Sequence, residues 1–200
     1  MSNGIRTHDP SFVTHHAVFL DRDGVVNKII LRDGLPASPR NLKEFVFNDG
    51  IRDAVGRLKE WGYLIIVVTN QPDVARGNIT RELLDSISRK IKQEISIDDI
   101  YACLHDDEDQ CSCRKPKPGM LLEAAQKWKI DLAQSFMIGD TWKDVEAGRA
   151  AGCKTILLDA PYNQEVAPDL RVQSLSEAVE MIKSSMHPSD VTLHPSPITQ

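Results

Sequence analysis

The chain has 200 residues, 41% of them hydrophobic and 26% charged, with 11 glycines and 11 prolines; this is the length and mixture of one globular domain with a real core. It excludes a tandem of two domains, a collagen, a coiled coil and an extended disordered chain. Twenty-four basic against 29 acidic residues give a formal charge of -5, which argues against non-specific attraction to nucleic acid or anionic lipid while leaving room for a locally basic site.

Residues 1–16 read as an N-terminal extension without the apolar stretch of a secretory signal, so a reducing cytoplasm is the expected compartment. No apolar run approaches the ~20 residues that span a bilayer, and no membrane partner is expected. Residues 17–20 (AVFL) predict a short strand ending at Asp21. Ile51, Val55 and Leu58 fall at helical spacing within 50–61, with Gly62 as the stop, and 63–68 form a continuous apolar strand. A second helix is predicted over 80–95, opened by Thr80 with Glu82 in its first turn and Leu83, Leu84, Ile87 and Ile91 on one face.

Residues 100–104 predict a strand that runs into a cysteine-rich loop. Pro118 precedes the amphipathic stretch MLLEAAQKW, and residues 135–138 predict a strand ending in Gly139 and Asp140. A helix over 144–151 closed by Gly152, a strand over 155–158 and an amphipathic stretch over 175–182 follow. Residues 186–200, rich in Pro, Ser and His, read as a flexible tail. This alternation of buried strands and amphipathic helices predicts an α/β fold, a Rossmann-like parallel sheet flanked by helices, occupying residues 17–185.

In such sheets ligands bind beyond the carboxyl ends of the strands. Three ends are distinctive: AVFL-DRDG, LIIVV-TNQ and SFMI-GDTWKD. Asp21 and Asp23 stand one residue apart, and two carboxylates so close in a cleft call for a cation or a proton. Asp140, at another strand end, completes an oxygen set suited to Mg²⁺. Such a set supports phosphoryl transfer, with one carboxylate attacking phosphorus, the other moving protons and the metal neutralising charge. By itself the Asp-Arg-Asp-Gly turn is equally an ordinary turn.

The cysteines carry a second pattern. Cys103, His105, Cys111 and Cys113 spell Cys-x-His, five intervening residues, then Cys-x-Cys, a thiolate and imidazole set that fits a closed tetrahedral Zn²⁺ site. A redox dithiol or free thiols are the alternatives. With four protein ligands the zinc is structural and fixes the loop that delivers Arg114 and Lys115. These two, with Lys117 nearby, form the locally basic site left open above, Lys117 being alternatively a solvated charge; Asp106 to Asp109 read as an exposed loop tip and Cys153 as a small core residue.

These motifs, in this order, resemble the haloacid dehalogenase-like phosphohydrolase superfamily over residues 17–160: DRDGVVN as the first motif, Thr69 as the second, Lys115 as the third, and Asp140 with Asp144 as the fourth. The resemblance implies that Asp21 is the nucleophile, that Asp23 is the general acid and base, and that Mg²⁺ is held by Asp21, Asp140 and the backbone carbonyl of Asp23. It also implies that Thr69 and Lys115 hold the phosphoryl oxygens. Asp144 then supports the metal indirectly or is simply a carboxylate at a helix N-terminus.

The zinc loop followed by CRKPKPG further resembles the heptose 1,7-bisphosphate phosphatases and the histidinol-phosphate phosphatases, whose likeness implies no large cap domain and a small phosphate ester as partner. Arg114 would contact substrate, with Asn70 and Gln71 bordering it. TNQ followed by ARG at 75–77 leans towards the heptose enzymes, which remove the 7-phosphate; the short gap between His105 and Cys111 is closer to the histidinol type. Arg76 can instead be structural. A zinc-stapled binding module without turnover is disfavoured by the intact Asp21, Asp23, Lys115 and Asp140. The segment from 28 to 45 has no assigned role, and no protein partner is identifiable.

Overall fold

The computed structural model describes residues 14–32 and 34–186; the 186–200 tail, apart from Met186, and residues 1–13 of the extension lie outside them. Among the described residues six parallel strands form one sheet. They are β1 (Ala17–Leu20), β4 (Leu64–Asn70), β5 (Asp99–Cys103), β6 (Phe136–Gly139), β7 (Lys154–Leu158) and β8 (Leu170–Val172), in the order β5-β4-β1-β6-β7-β8. The remaining pair, β2 (Ile30–Arg32) and β3 (Leu35–Ala37), is an antiparallel hairpin separate from the sheet. Pairing with the body begins at His15, which bridges to Ile130.

Side chains alternate across the strands, so each strand feeds two cores. Val18, Leu20, Ile65, Val67 and Ile138 face one way and pack with α1 (Ile51–Glu60), α2 (Arg81–Glu94) and α5 (Leu175–Ser185). Ala17, Phe19, Ile66, Val68 and Met137 face the other way and pack with α3 (Gly119–Trp128) and α4 (Trp142–Ala151). Burial on both faces is why these strands read as continuous apolar runs.

The chain winds from β1 outward through β4 to β5, then returns across the sheet to β6 beside β1 and winds outward again through β7 to β8. This reversal opens a crevice at the carboxyl ends of β1 and β6, where a doubly wound sheet places its ligand. Asp21, the end of β4 and Asp140 meet there, while the crossover from β5 carries the cysteine loop and Lys115.

Element ends differ from the predicted ones in informative places. The strand expected over 63–68 continues through Thr69 and Asn70, which pair with Ala102 and Cys103; polar side chains end a hydrophobic run before they end a hydrogen-bonded ladder. The helix expected from 144 starts at Trp142, with Thr141 as its N-cap. Thr141 donates to Asp144 Oδ2 from both its backbone N–H (3.0 Å) and its hydroxyl (2.6 Å). The first turn is therefore fixed by polar groups and not by the apolar stripe.

Candidate active site

Lys115 sits at the centre of the crevice. Its ammonium donates to Asp21 Oδ1 (2.7 Å), to Asp144 Oδ1 (2.6 Å) and to the Val68 carbonyl (2.9 Å). Asn70 sets the lysine's backbone: its Nδ2 donates to the Lys115 carbonyl at 2.9 Å and its Oδ1 accepts the Lys115 N–H at 3.0 Å. The second-strand end thus holds the third-motif lysine in place, and Asn70 still lines the cavity above.

Asp21, Asp140 and Asp144 are buried, and each offers a carboxylate oxygen within 4.8 Å of the others. One ammonium cannot balance three carboxylates. Burial pushes Asp21 well above the usual carboxylate range, and repulsion from Asp144 adds to it. Asp140 is pushed up to about 7, again by burial first and Asp144 second. Both Asp144 oxygens are taken by Lys115 and Thr141, whereas Asp140 Oδ1 is buried with no hydrogen-bond partner among the described residues. The surplus negative charge and this unpartnered oxygen fit a hard divalent cation. Gly24 makes the approach possible: a Cβ there would lie 2.0 Å from Asp140 Oδ2.

Asp23 stands in a different field. Burial opposes its charge, but the adjacent Arg22 guanidinium, with hydrogen bonds from Arg22, Ser38 and Asn27, holds it below the usual range. Arg22 grips both oxygens, Ser38 Oγ donates at 2.7 Å and Asn27 Nδ2 at 3.0 Å. Gln71 Nε2 lies 2.9 Å from both Asp23 Oδ2 and Thr69 Oγ1. Gln71 was expected to border the substrate; its side chain is instead fully buried and acts through Asp23 and Thr69. Because Gln71 donates to Thr69 Oγ1, the threonine hydroxyl keeps its own proton to donate into the cavity.

Cys103, His105, Cys111 and Cys113 converge as the spacing implied. Cys113 Sγ lies 3.2 Å from Cys103 Sγ, 3.4 Å from Cys111 Sγ and 3.3 Å from His105 Nδ1. Cys103 Sγ lies 3.6 Å from His105 Nδ1 and 3.7 Å from Cys111 Sγ. Bonds of about 2.3 Å to sulfur and about 2.0 Å to nitrogen would place tetrahedral ligand atoms about 3.5–3.8 Å apart; two separations fall in that range and the other three are a few tenths of an ångström shorter, close to the dimensions of a metal site. The intervening acidic residues do not compete for it: Asp106 accepts from Arg76 Nε (2.6 Å) and Nη2 (2.5 Å), and Asp107 Oδ1 accepts from Arg114 Nε (2.7 Å). Arg76 therefore does have a structural task, tying the 72–78 loop to the cysteine loop. Lys117 is also more than a solvated charge, since its ammonium caps the carbonyls of Gln110 and Cys111.

A cavity of about 440 Å³ opens above Asp21, Asp23, Thr69, Lys115 and Asp140. The β2–β3 hairpin forms one wall, and Arg32, Arg40, Arg76, Arg114 and Lys143 reach it from four segments of chain.

A family model described as "HAD-hyrolase-like" matches residues 112–178. The chain is 36% identical over 185 residues to the D-glycero-beta-D-manno-heptose-1,7-bisphosphate 7-phosphatase of Yersinia pestis, covering 84% of this chain and 95% of that one. It belongs to the HAD-like phosphatases. The Escherichia coli (strain K12) protein of the same name is 34% identical over 190 residues, with 86% and 96% covered. The crystal structure of D,D-heptose 1,7-bisphosphate phosphatase from B. bronchiseptica, complexed with magnesium and phosphate, superposes with a TM-score of 0.75 at 28% identity, covering 86% of this chain and 99% of that one.

In this HAD-like phosphatase the raised carboxylates make stability depend on pH. A carboxyl whose folded pKa is raised stabilises the fold while protonated, and loses that contribution as pH climbs from about 4 through the folded value, here about 7 for Asp140. The chain freed of Mg²⁺, with the cysteine cluster left loaded, is therefore expected to melt at a lower temperature at pH 8 than at pH 6. Added Mg²⁺ should raise the melting temperature more at pH 8, where the carboxylates are ionised; an equal rise at both pH values would contradict the assignment. Among the described residues no helix is long and apolar enough to cross a membrane.

Proposed function

We propose that the chain removes the 7-phosphate of D-glycero-D-manno-heptose 1,7-bisphosphate in the cytoplasm, through an aspartyl-phosphate, with catalytic Mg²⁺ and structural Zn²⁺. The observation that carries this reading is the cavity: a buried carboxylate and lysine cluster beneath an open rim bearing five cationic side chains. A bisphosphate has a second anion to meet such a rim. Histidinol phosphate would bring one phosphate only and leave the second anion-binding position unused, although Asp73 and Asp107 on the same rim pair with Arg40 and Arg114. The curated relatives carry the heptose name.

Asp21 Oδ1 accepts from Lys115 and from the Arg22 N–H (2.7 Å), which leaves Oδ2 uncommitted to either donor. In the proposed first step an Asp21 oxygen forms a bond to the 7-phosphorus, the phosphorus–oxygen ester bond breaks, and the departing sugar hydroxyl takes a proton from Asp23. Asp23 is ionised at rest; the arriving phosphate dianion raises its pKa, so that it takes up a proton from solvent before the step and passes it to the leaving oxygen. Water then attacks phosphorus, gives its proton to Asp23 and releases inorganic phosphate and Asp21. Thr69 donates to the phosphoryl oxygens, and Lys115 joins it when the arriving phosphate draws one of its three N–H donors away from Asp21, Asp144 and the Val68 carbonyl. Asp21, Asp140 and the Asp23 carbonyl would hold Mg²⁺, which would supply charge neutralisation for the phosphate. Cys103, His105, Cys111 and Cys113 would hold Zn²⁺ as a structural ion, which would fix the loop that carries Arg114 and Lys115.

The decisive measurement is kcat/KM with Mg²⁺ for both anomers of the heptose bisphosphate and for histidinol phosphate. A preference for either bisphosphate anomer of at least ~100-fold is expected, equivalent to about 3 kcal/mol of transition-state discrimination. A preference for histidinol phosphate would overturn the substrate assignment, and inactivity on a broad panel of phosphate esters would favour a binding module.

A further inference from the structure

Beyond β7 the chain runs through a loop that returns to β8, and Arg171 on β8 gathers it. Its Nη1 donates to Asp159 Oδ1 (2.6 Å) and Asn163 Oδ1 (3.0 Å), and its Nη2 to the carbonyls of Asn163 (3.1 Å) and Val166 (2.6 Å). Asn163, itself 2% exposed, donates to the backbone carbonyls of Asp140 and Leu158, both at 2.8 Å. A loop held at this many points sets the preceding residue in one place. The Tyr162 hydroxyl donates to Asp140 Oδ2 at 2.5 Å.

The two oxygens of Asp140 are thus treated differently. Oδ2 is enclosed between the phenol and the Gly24 backbone, with no room for even a methyl group at position 24. Oδ1 is buried and has no partner among the described residues. Leaving a buried carboxylate oxygen without a donor costs free energy unless a ligand meets it.

We propose that Tyr162 is a positioning residue that fixes Asp140 as a one-oxygen metal ligand and so favours Mg²⁺ over Ca²⁺. This rests on the reading of Asp140 as a metal ligand given above. With Oδ2 engaged by the phenol, the carboxylate cannot turn both oxygens towards one cation. Mg²⁺ takes six oxygens at about 2.0–2.1 Å and keeps several waters, which suits single-oxygen ligands; Ca²⁺ takes six to eight at about 2.3–2.6 Å and readily uses both oxygens of a carboxylate. Phenylalanine at this position keeps the ring and removes only the donor.

The test is direct metal binding by the full chain with its zinc site intact and no substrate present, using Mn²⁺ followed by electron paramagnetic resonance with Mg²⁺ and Ca²⁺ as competitors. Tyr162→Phe is expected to weaken Mg²⁺ binding about 10-fold, the low end of what losing a ligand's outer hydrogen-bond partner costs, while Ca²⁺ affinity holds within about twofold because the released oxygen can join it. Mg²⁺ affinity unchanged in Tyr162→Phe, or Mg²⁺ and Ca²⁺ weakened alike, overturns the proposal. Tyr162→Ala separates the donor from the ring: a loss matching that of Tyr162→Phe supports the donor, and a loss seen only with alanine assigns the effect to packing and overturns it. If the wild-type chain binds no metal, or binding is indifferent to Asp140→Asn, the metal reading itself fails and takes this inference with it.

Discussion

Asp21→Asn is expected to lower phosphate release by at least ~10⁴-fold, the scale on which removing a nucleophile acts, without loss of folding. The amide keeps the shape of the carboxylate and a carbonyl oxygen for Lys115, but it has no charge with which to form the acyl phosphate. Removing one partner of a buried ion pair ordinarily destabilises a protein. Here the balance differs, because Lys115 retains Asp144 at 2.6 Å and the Val68 carbonyl at 2.9 Å, while the variant relieves repulsion among three buried carboxylates. The melting temperature of the metal-free variant at neutral pH should therefore equal or exceed that of the wild type, a stability gained at the expense of activity. Turnover within about 10-fold of wild type would remove Asp21 from the nucleophile role.

Cys111→Ser carries the second large effect. A serine hydroxyl cannot supply a thiolate at neutral pH, and with one of four ligands gone, zinc is expected to be absent from the purified variant by elemental analysis. What else holds the 104–113 part of the loop is weaker: ion pairs from Arg76 and Arg114 that reach solvent, and the capping of two carbonyls by Lys117, all screened by water and salt, while Asn70 and the buried carboxylates hold Lys115 itself. Structural zinc contributes an apparent ~10–16 kcal/mol in small domains. If only ~3 kcal/mol of that reaches global stability, the melting temperature falls by roughly 6–12 °C. Activity should fall by ~100-fold or more, since a displacement of about 1 Å at Lys115 suffices for that loss. Full zinc content with unchanged turnover would contradict the four-ligand site.

How far the sequence could be read depended on whether a signal was local. Strand ends followed by Asp21, Thr69 and Asp140 were visible because an apolar run stopping at an acid or hydroxyl is a short-range pattern. The four metal-site residues were visible because eleven consecutive positions contain them all. Gln71 stands beside Thr69 and Asn70 in the spelling, yet it lies just past the end of β4 and its amide is drawn inward to Asp23 and Thr69, partners that the local sequence does not show. Ser38 reaches Asp23 only because the β2–β3 hairpin folds back over the site; the Asp-Gly dipeptide at 33–34 is a hairpin signal, but nothing in the local spelling connects it with a carboxylate fifteen residues earlier. Tyr162 lies just beyond another strand end, and the run TILLDAPYN is a fourth apolar run stopping at an acid. Its distance from the other motifs in the chain hid it.

The hairpin that walls the cavity also holds Asp23 through Ser38, so recognition and proton transfer share one mechanical part. A poorly matched leaving group that shifts this wall also shifts the proton donor's hydrogen bond, and its penalty falls on the rate of turnover more than on the strength of binding. On the proposed role of Asp23, a substitution that reshapes this wall also moves a hydrogen bond of the proton carrier, which couples substrate range to catalytic competence.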